Sequence, residues 1–91
     1  MNDKVMLRLI ALGLKLPLPP HPLGAYKAVI EAGSVLYVSM QGPVVPGHPK
    51  PVGLLGKDLT IEDGQTAARL AVLNGLAQIH QHLGGFEQIR L

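Results

Sequence analysis

The chain contains no cysteine and no tryptophan, and only three aromatic side chains, Tyr26, Tyr37 and Phe86. Without cysteine there is no disulfide, no thiolate nucleophile and no cysteine-held zinc or iron–sulfur centre, which fits a reducing compartment such as the cytoplasm. Charge is also scarce, at 15% of residues, and the eight Lys and Arg are scattered from Lys4 to Arg90 with no run. The net charge of +2 therefore draws no basic stripe, and three aromatics make no stacking platform, so nucleic acid is not the expected partner. No apolar run approaches the ~20 residues of a membrane-spanning helix. Asp3, Arg8 and Lys15 break the N-terminal stretch where a signal or transit peptide would continue. A soluble cytoplasmic protein without membrane contact is the expectation.

What the chain has in quantity is aliphatic surface: 47% of its 91 residues are hydrophobic. A domain this short leaves a large share of its apolar surface uncovered, so the composition predicts a homo-oligomer. One domain, residues 1–91, is expected.

Residues 4–14 put Val5, Leu9 and Leu12 on one helical face and end at Gly13, which predicts a short amphipathic helix. The segment 16–22, "LPLPPHP", holds four prolines, whose fixed φ and missing N–H exclude helix and central strand, leaving an extended connector. From 25 to 41 apolar and polar residues alternate around Gly33-Ser34, the pattern of a β-hairpin with a tight turn. Residues 43–58 are rich in proline and glycine and read as a loop, with "PVGLLG" at 51–56 as a short edge strand. Thr60 and Asp63 then form a capping-box signature opening a helix over 61–83. Its apolar stripe reads as Ala68, Val72, Leu76, Ile79 and Leu83, widened by Leu70, Leu73 and Ala77. Gly84-Gly85 closes that helix, and "FEQIRL", 86–91, reads as the start of another strand.

Few constellations suggest chemistry. Gly53 to Lys57 lacks the spacing, the hydroxyl after lysine and the strand-to-helix setting of a phosphate loop. His80 and His82 project about 200° apart on a helix, so they cannot share a metal there, and no metal site or cofactor is expected. They read as a solvated helix end whose partial positive charge suits the C-terminal dipole. His21 and His48 lie in loops, and a pairing of either with Ser39 lacks a placed acid. "PLPPHP" has spacings that polyproline-reading modules accept, as linkers in general do. Arg69 suits bidentate anion binding, with a surface or interface ion pair involving Glu62 as the plainer alternative.

The order of these features resembles the RidA/YjgF family of reactive-intermediate deaminases, in particular its branch with an extra N-terminal helix. The resemblance is carried by Gly24 and Tyr26 before the first strand, by Ser39-Met40-Gln41 at the hairpin's end, and by Gln65, Arg69 and Leu73-Asn74 on the helix. It implies an α+β, chorismate-mutase-like half-domain, an antiparallel hairpin packed by one long helix plus the short N-terminal one. It also implies homotrimers or dimers with strand pairing across the interface and small-molecule clefts between subunits. Members hydrolyse enamines or imines derived from amino acids, without a metal, holding the substrate carboxylate with an arginine. Carried over residue by residue, Tyr26 lines the pocket and Ser39 with Gln41 shapes its floor. Two departures stand out: Met40 replaces a customary glycine, and the family's carboxylate-binding arginine lies in a half that this chain lacks. The expectation is a truncated, self-associating relative that binds a small carboxylate-bearing metabolite. Arg69 replaces the missing arginine only if an interface brings it to the cleft, and enamine or imine deamination depends on that. A non-catalytic interaction module is the alternative.

Overall fold

The computed structural model describes residues 3–21, 24–45, 48 and 52–90. Helix α1 spans Lys4–Ala11, strands β1 and β2 span Val29–Ala32 and Val35–Val38, and helix α2 spans Ile61–Leu83. This is the expected α+β half-domain: one hairpin, one long helix, one short one.

Helix α1 begins where the Asp3 carboxylate accepts the Met6 N–H at 3.0 Å, the side-chain cap that a helix start requires. It is three residues shorter than expected. Gly13 takes φ 71, its N–H bonds back to the Ile10 carbonyl, and the Leu14 N–H reaches Leu9. That paired return is the glycine-dependent stop seen at many helix ends.

The hairpin pairs Val29 with Val38, Ile30 with Tyr37, Glu31 with Leu36 and Ala32 with Val35. Gly33, at φ 62, supplies the first corner of its two-residue turn. Regular pairing covers less than the expected 25–41. Beyond it, one more rung joins the Ser39 N–H to the Ala28 carbonyl, while the Tyr26 N–H folds back onto Gly24. One sheet face, with Val29, Glu31 and Leu36, turns toward α2, where Glu31 Oε1 meets His82 Nε2 at 2.7 Å. The other carries Ile30, Val35 and Tyr37, all exposed.

Helix α2 starts with the full reciprocal capping box of Thr60 and Asp63 and ends at Gly84 in the left-handed conformation. Its buried face differs from the expected stripe. Val72 is 63% exposed and Ala68 is exposed as well; Ala77 is buried as expected, and Leu70, Leu73, Leu76, Ile79 and Leu83 are half-buried, but Asn74 and Gln78, outside the expected stripe, are buried with it. The helix has apolar residues on both sides, so periodicity alone selects no single face. The choice is made by two amides that find backbone partners inside.

Two segments depart from expectation. No edge strand forms over the described part of 51–56. Leu54 instead opens a compact turn in which its N–H reaches the Asp58 carboxylate at 3.0 Å, and Leu55 bridges only to Leu59. Pro51 lies outside the described residues, as do Pro46, Gly47, Pro49 and Lys50 of the loop. The described part of the expected strand start at 86–91 forms no strand: a turn at 87–88 is followed by irregular chain, and Leu91 lies outside the described residues. The Phe86 N–H donates to Asp3 at 2.9 Å, its ring meets His80 edge-on with centroids 5.1 Å apart, and the Ile89 N–H returns to Phe86. Phe86 is thus buried as part of a small core with Leu9 and Ala77, and that anchoring bends the chain where a strand would run straight. Among the described residues, no helix is long and apolar enough to cross a membrane.

Candidate functional site

Beyond the last hairpin rung the two strands diverge, and a cleft of about 170 Å³ opens between them, the proline connector and α2. Tyr26 and Ala28 come from the approach to β1, Met40 to Val44 from the segment leaving β2, Pro20 and His21 from the connector, and Gln78 from the helix. Its walls are thus four separate stretches of sequence that need something to hold them together.

Helix α2 does the holding, through Asn74 and Gln78, one turn apart on one face. Asn74 is 0% exposed, and its Nδ2 donates to the carbonyls of Gly42 at 2.9 Å and Val44 at 3.1 Å. Gln78 is 6% exposed, and its Nε2 donates to the Pro20 carbonyl at 2.6 Å. One amide therefore pins the corner after β2 and the other pins the connector. Buried amides are tolerated because they are bonded in this way. Asn74 Oδ1 is the exception: it is buried without a hydrogen-bond partner among the described residues. Turning that amide over would only set its oxygen against two carbonyls.

The four residues singled out from the sequence divide. Tyr26 and Gln41 meet on the cleft wall. Ser39 does not line it: its hydroxyl donates to the carbonyls of Lys27 at 2.8 Å and Ala28 at 3.2 Å, which ties the strand ends together just below the cleft. Its own carbonyl accepts Gln41 Nε2 at 3.3 Å, so Ser39 acts on the site by orienting Gln41. Arg69 is exposed on α2, outside the cleft, and the ion pair considered with Glu62 is not formed. Met40, 71% exposed, sits at the mouth. His21 lines the cleft, but no hydrogen bond joins Ser39 to a histidine among the described residues. His82 is not a simple solvated helix end, since Glu31 receives it.

Gln78 was absent from the residues that the sequence marked, and Asn74 appeared only as a token of family resemblance. The available signal was two carboxamides four residues apart inside the apolar run "LAVLNGLAQI", where a polar side chain needs a buried partner.

A second, wider hollow of about 700 Å³ lies at the end of α2, bounded by Asp3, Met6, His80, Glu87 and Arg90 among others. It is open to solvent and flanks the last described residues. The Asp3 carboxyl there is held below its ordinary value of 3.8, first by the Phe86 N–H and then by that of Met6. No cluster of three metal-ligating side chains occurs among the described residues.

Comparison with known proteins bears on the fold. Residues 6–91 match the family model described as "YjgF/chorismate mutase-like, putative endoribonuclease". The chain is 33% identical over 89 residues to the protein TCP17 of Trypanosoma cruzi, covering 98% of this chain and 56% of that one. It resembles the crystal structure of a "putative endoribonuclease" from Shewanella oneidensis with a TM-score of 0.78 and 41% identity, over 88% of this chain and 53% of the other. A protein of unknown function from Agrobacterium tumefaciens matches with a TM-score of 0.74 and 34% identity, over 94% and 52%. The chain thus spans about half the length of these relatives.

Proposed function

Because the chain belongs to the YjgF/chorismate mutase-like family, we propose that it binds a small organic metabolite in the cleft walled by Tyr26, Gln41 and Gln78, and that it does so as a homo-oligomer. The observation that carries this reading is the convergence of two family-marked residues, Tyr26 and Gln41, with a buried amide on one concave surface. Concave sites with apolar walls and a few fixed polar groups are the usual form of small-molecule sites.

Hydrolysis of an enamine or imine is the reaction that the family resemblance suggests. It requires the substrate's carboxylate to be held so that the reacting carbon faces water. Arg69 lies outside the cleft of its own chain, so a carboxylate holder comes from a neighbouring subunit in this reading. Rates of 2-aminoacrylate-type enamine hydrolysis, compared for the wild type, Arg69→Ala and Gln41→Ala, test it. The catalytic reading expects a rate above buffer that falls in Gln41→Ala; rates equal to buffer reduce the cleft to a binding site.

The relatives' endoribonuclease wording offers RNA cleavage as another reading. The described cleft wall carries no lysine or arginine, and phosphate contacts are what RNA binding draws on first. The interaction-module alternative relied on a free proline segment. Here Leu16, Pro17, Pro19 and Pro20 are half-buried and Pro20 is bonded to α2, which favours a wall of the cleft over a polyproline ligand. Pro22 lies outside the described residues.

A further inference from the structure

Helix α2 carries two glycines, Gly64 and Gly75. Glycine weakens a helix relative to alanine, so each calls for a reason. At Gly64 the reason is steric: a Cβ there would lie 2.7 Å from Leu55 Cδ2, so that Leu55 would have to move. At Gly75 no such reason exists among the described residues. A Cβ would meet Gln41 Cγ at 3.6 Å, an ordinary contact, and Gly75 is not one of the glycines with positive φ. What sets Gly75 apart is its neighbour. It follows Asn74, and asparagine before glycine is the pair in which a backbone nitrogen most readily attacks a side-chain amide, because no Cβ shields the approach.

The reaction balances with no co-reactant but water. The Gly75 nitrogen loses its proton and bonds to Asn74 Cγ; the Cγ–Nδ2 bond breaks, and the amide nitrogen leaves as ammonia, carrying that proton. The resulting succinimide takes up one water at either carbonyl. Ring opening then leaves aspartate or, with the chain rerouted through the side chain, isoaspartate. In the folded chain both reacting groups are committed elsewhere. Gly75 sits within the hydrogen-bonded body of α2, Ile61–Leu83, where each N–H is held by the carbonyl one turn back. Asn74 is 0% exposed, and its Nδ2 is held by the Gly42 and Val44 carbonyls. Ring closure therefore needs this turn of α2 to open and the corner after β2 to let go.

We propose that Asn74-Gly75 is a deamidation site that the fold keeps closed, and that each opening of α2 exposes it to a reaction that refolding cannot undo. Either product puts a carboxylate where a donor to two carbonyls stood, a burial that is costly without a partner. Isoaspartate also adds a backbone atom to the helix. The corner Gly42–Val44 loses its anchor, and one wall of the cleft loses its fixed position. A local opening that is otherwise transient becomes permanent. Asn74 acts here as a chemical site whatever the cleft binds.

Wild type and Gly75→Ala, each incubated in ¹⁸O-water at mildly alkaline pH with and without urea, test it, with ¹⁸O at residue 74 followed by peptide mass spectrometry. Asn2, the chain's other asparagine, is followed by Asp3 and serves as the internal reference, expected to react slowly throughout. In urea the wild type is expected to label residue 74 at least about tenfold faster than without urea, since the native rate is limited by the open fraction. Gly75→Ala, read in urea where its fold does not matter, is expected to lag the wild type several-fold. The deamidated native fraction, separated by its added negative charge on ion exchange, should melt below the intact one. Equal labelling with and without urea overturns the protection by the fold. Residue 74 reacting no faster than Asn2 in urea, or Gly75→Ala reacting as fast as the wild type, overturns the site. A deamidated fraction with an unchanged Tm overturns its consequence.

Discussion

Gln78 donates from the last third of α2 to the Pro20 carbonyl, joining two residues 58 positions apart at 2.6 Å. One turn earlier Asn74 bonds the carbonyls of Gly42 and Val44. A proline connector that cannot join a helix or sheet, and a corner that has left its ladder, thus acquire fixed positions from one helix face.

Gln78→Met keeps the volume and removes the donor. Loss of a largely buried hydrogen bond of this kind costs about 1–2 kcal/mol, which lowers the Tm of a domain this small by roughly 4–8 °C per kcal/mol. Hydrogen exchange should quicken at Leu16, Leu18 and His21 while the hairpin amides from Val29 to Val38 keep their protection. A uniform loss across both would contradict a local role.

Asn74→Leu removes the donor from the Val44 carbonyl and leaves the Gly42 carbonyl only the Val44 N–H, and is expected to destabilise by about 1–3 kcal/mol. Asn74→Asp should be worse at neutral pH, since it sets a buried carboxylate against those carbonyls, and should recover part of the loss on acidification, when a protonated carboxyl can donate. Thermal melts of both variants across pH check this ordering.

Helix α2 and its caps could be read from the sequence because Thr60, Asp63 and Gly84 act locally, and the hairpin because Gly33-Ser34 interrupts a clear alternation. The helix face could be read only in part: Leu73, Leu76, Ala77 and Ile79 are covered as expected, but Val72 turns outward because the distant carbonyls of Pro20, Gly42 and Val44 draw Asn74 and Gln78 inward. Phe86 misled for the same reason: a double glycine followed by an aromatic looks like a new strand's start, but the Asp3 carboxylate, 83 positions away, holds the Phe86 backbone in a turn. Of the site, Tyr26 and Gln41 were visible through the family pattern. Ser39 carried the same pattern yet braces the strands, and Arg69 lies away from the cleft.

Asp3 links the start of α1 to the turn at Phe86, and its carboxyl is held below 3.8 by N–H groups present only in the folded chain. A group whose folded pKa is depressed stabilises above its unfolded pKa, and that contribution is lost as pH falls through the folded one. The wild type should therefore lose stability below about pH 4 more steeply than Asp3→Asn, with the two converging as acid is added. Parallel acid titrations of the two, followed by circular dichroism, measure the difference; identical slopes would show that the clamp does not matter.

The exposed sheet face of Ile30, Val35 and Tyr37 is the aliphatic surface that the composition foreshadowed, and its burial between subunits is the proposed basis of self-association. Tyr37→Lys should shift the mass measured by light scattering toward the monomer. A wild type that is monomeric and well folded would contradict the proposed homo-oligomer.

The central claim is that Tyr26, Gln41 and Gln78 wall a small-molecule site, and a crystal structure of the protein soaked with the small organic probe isobutyramide tests it most directly. The prediction is density between those three side chains, with Met40 at its edge. A cleft filled by the Met40 side chain, or a ligand bound only in the hollow beside Asp3 and Arg90, would contradict it.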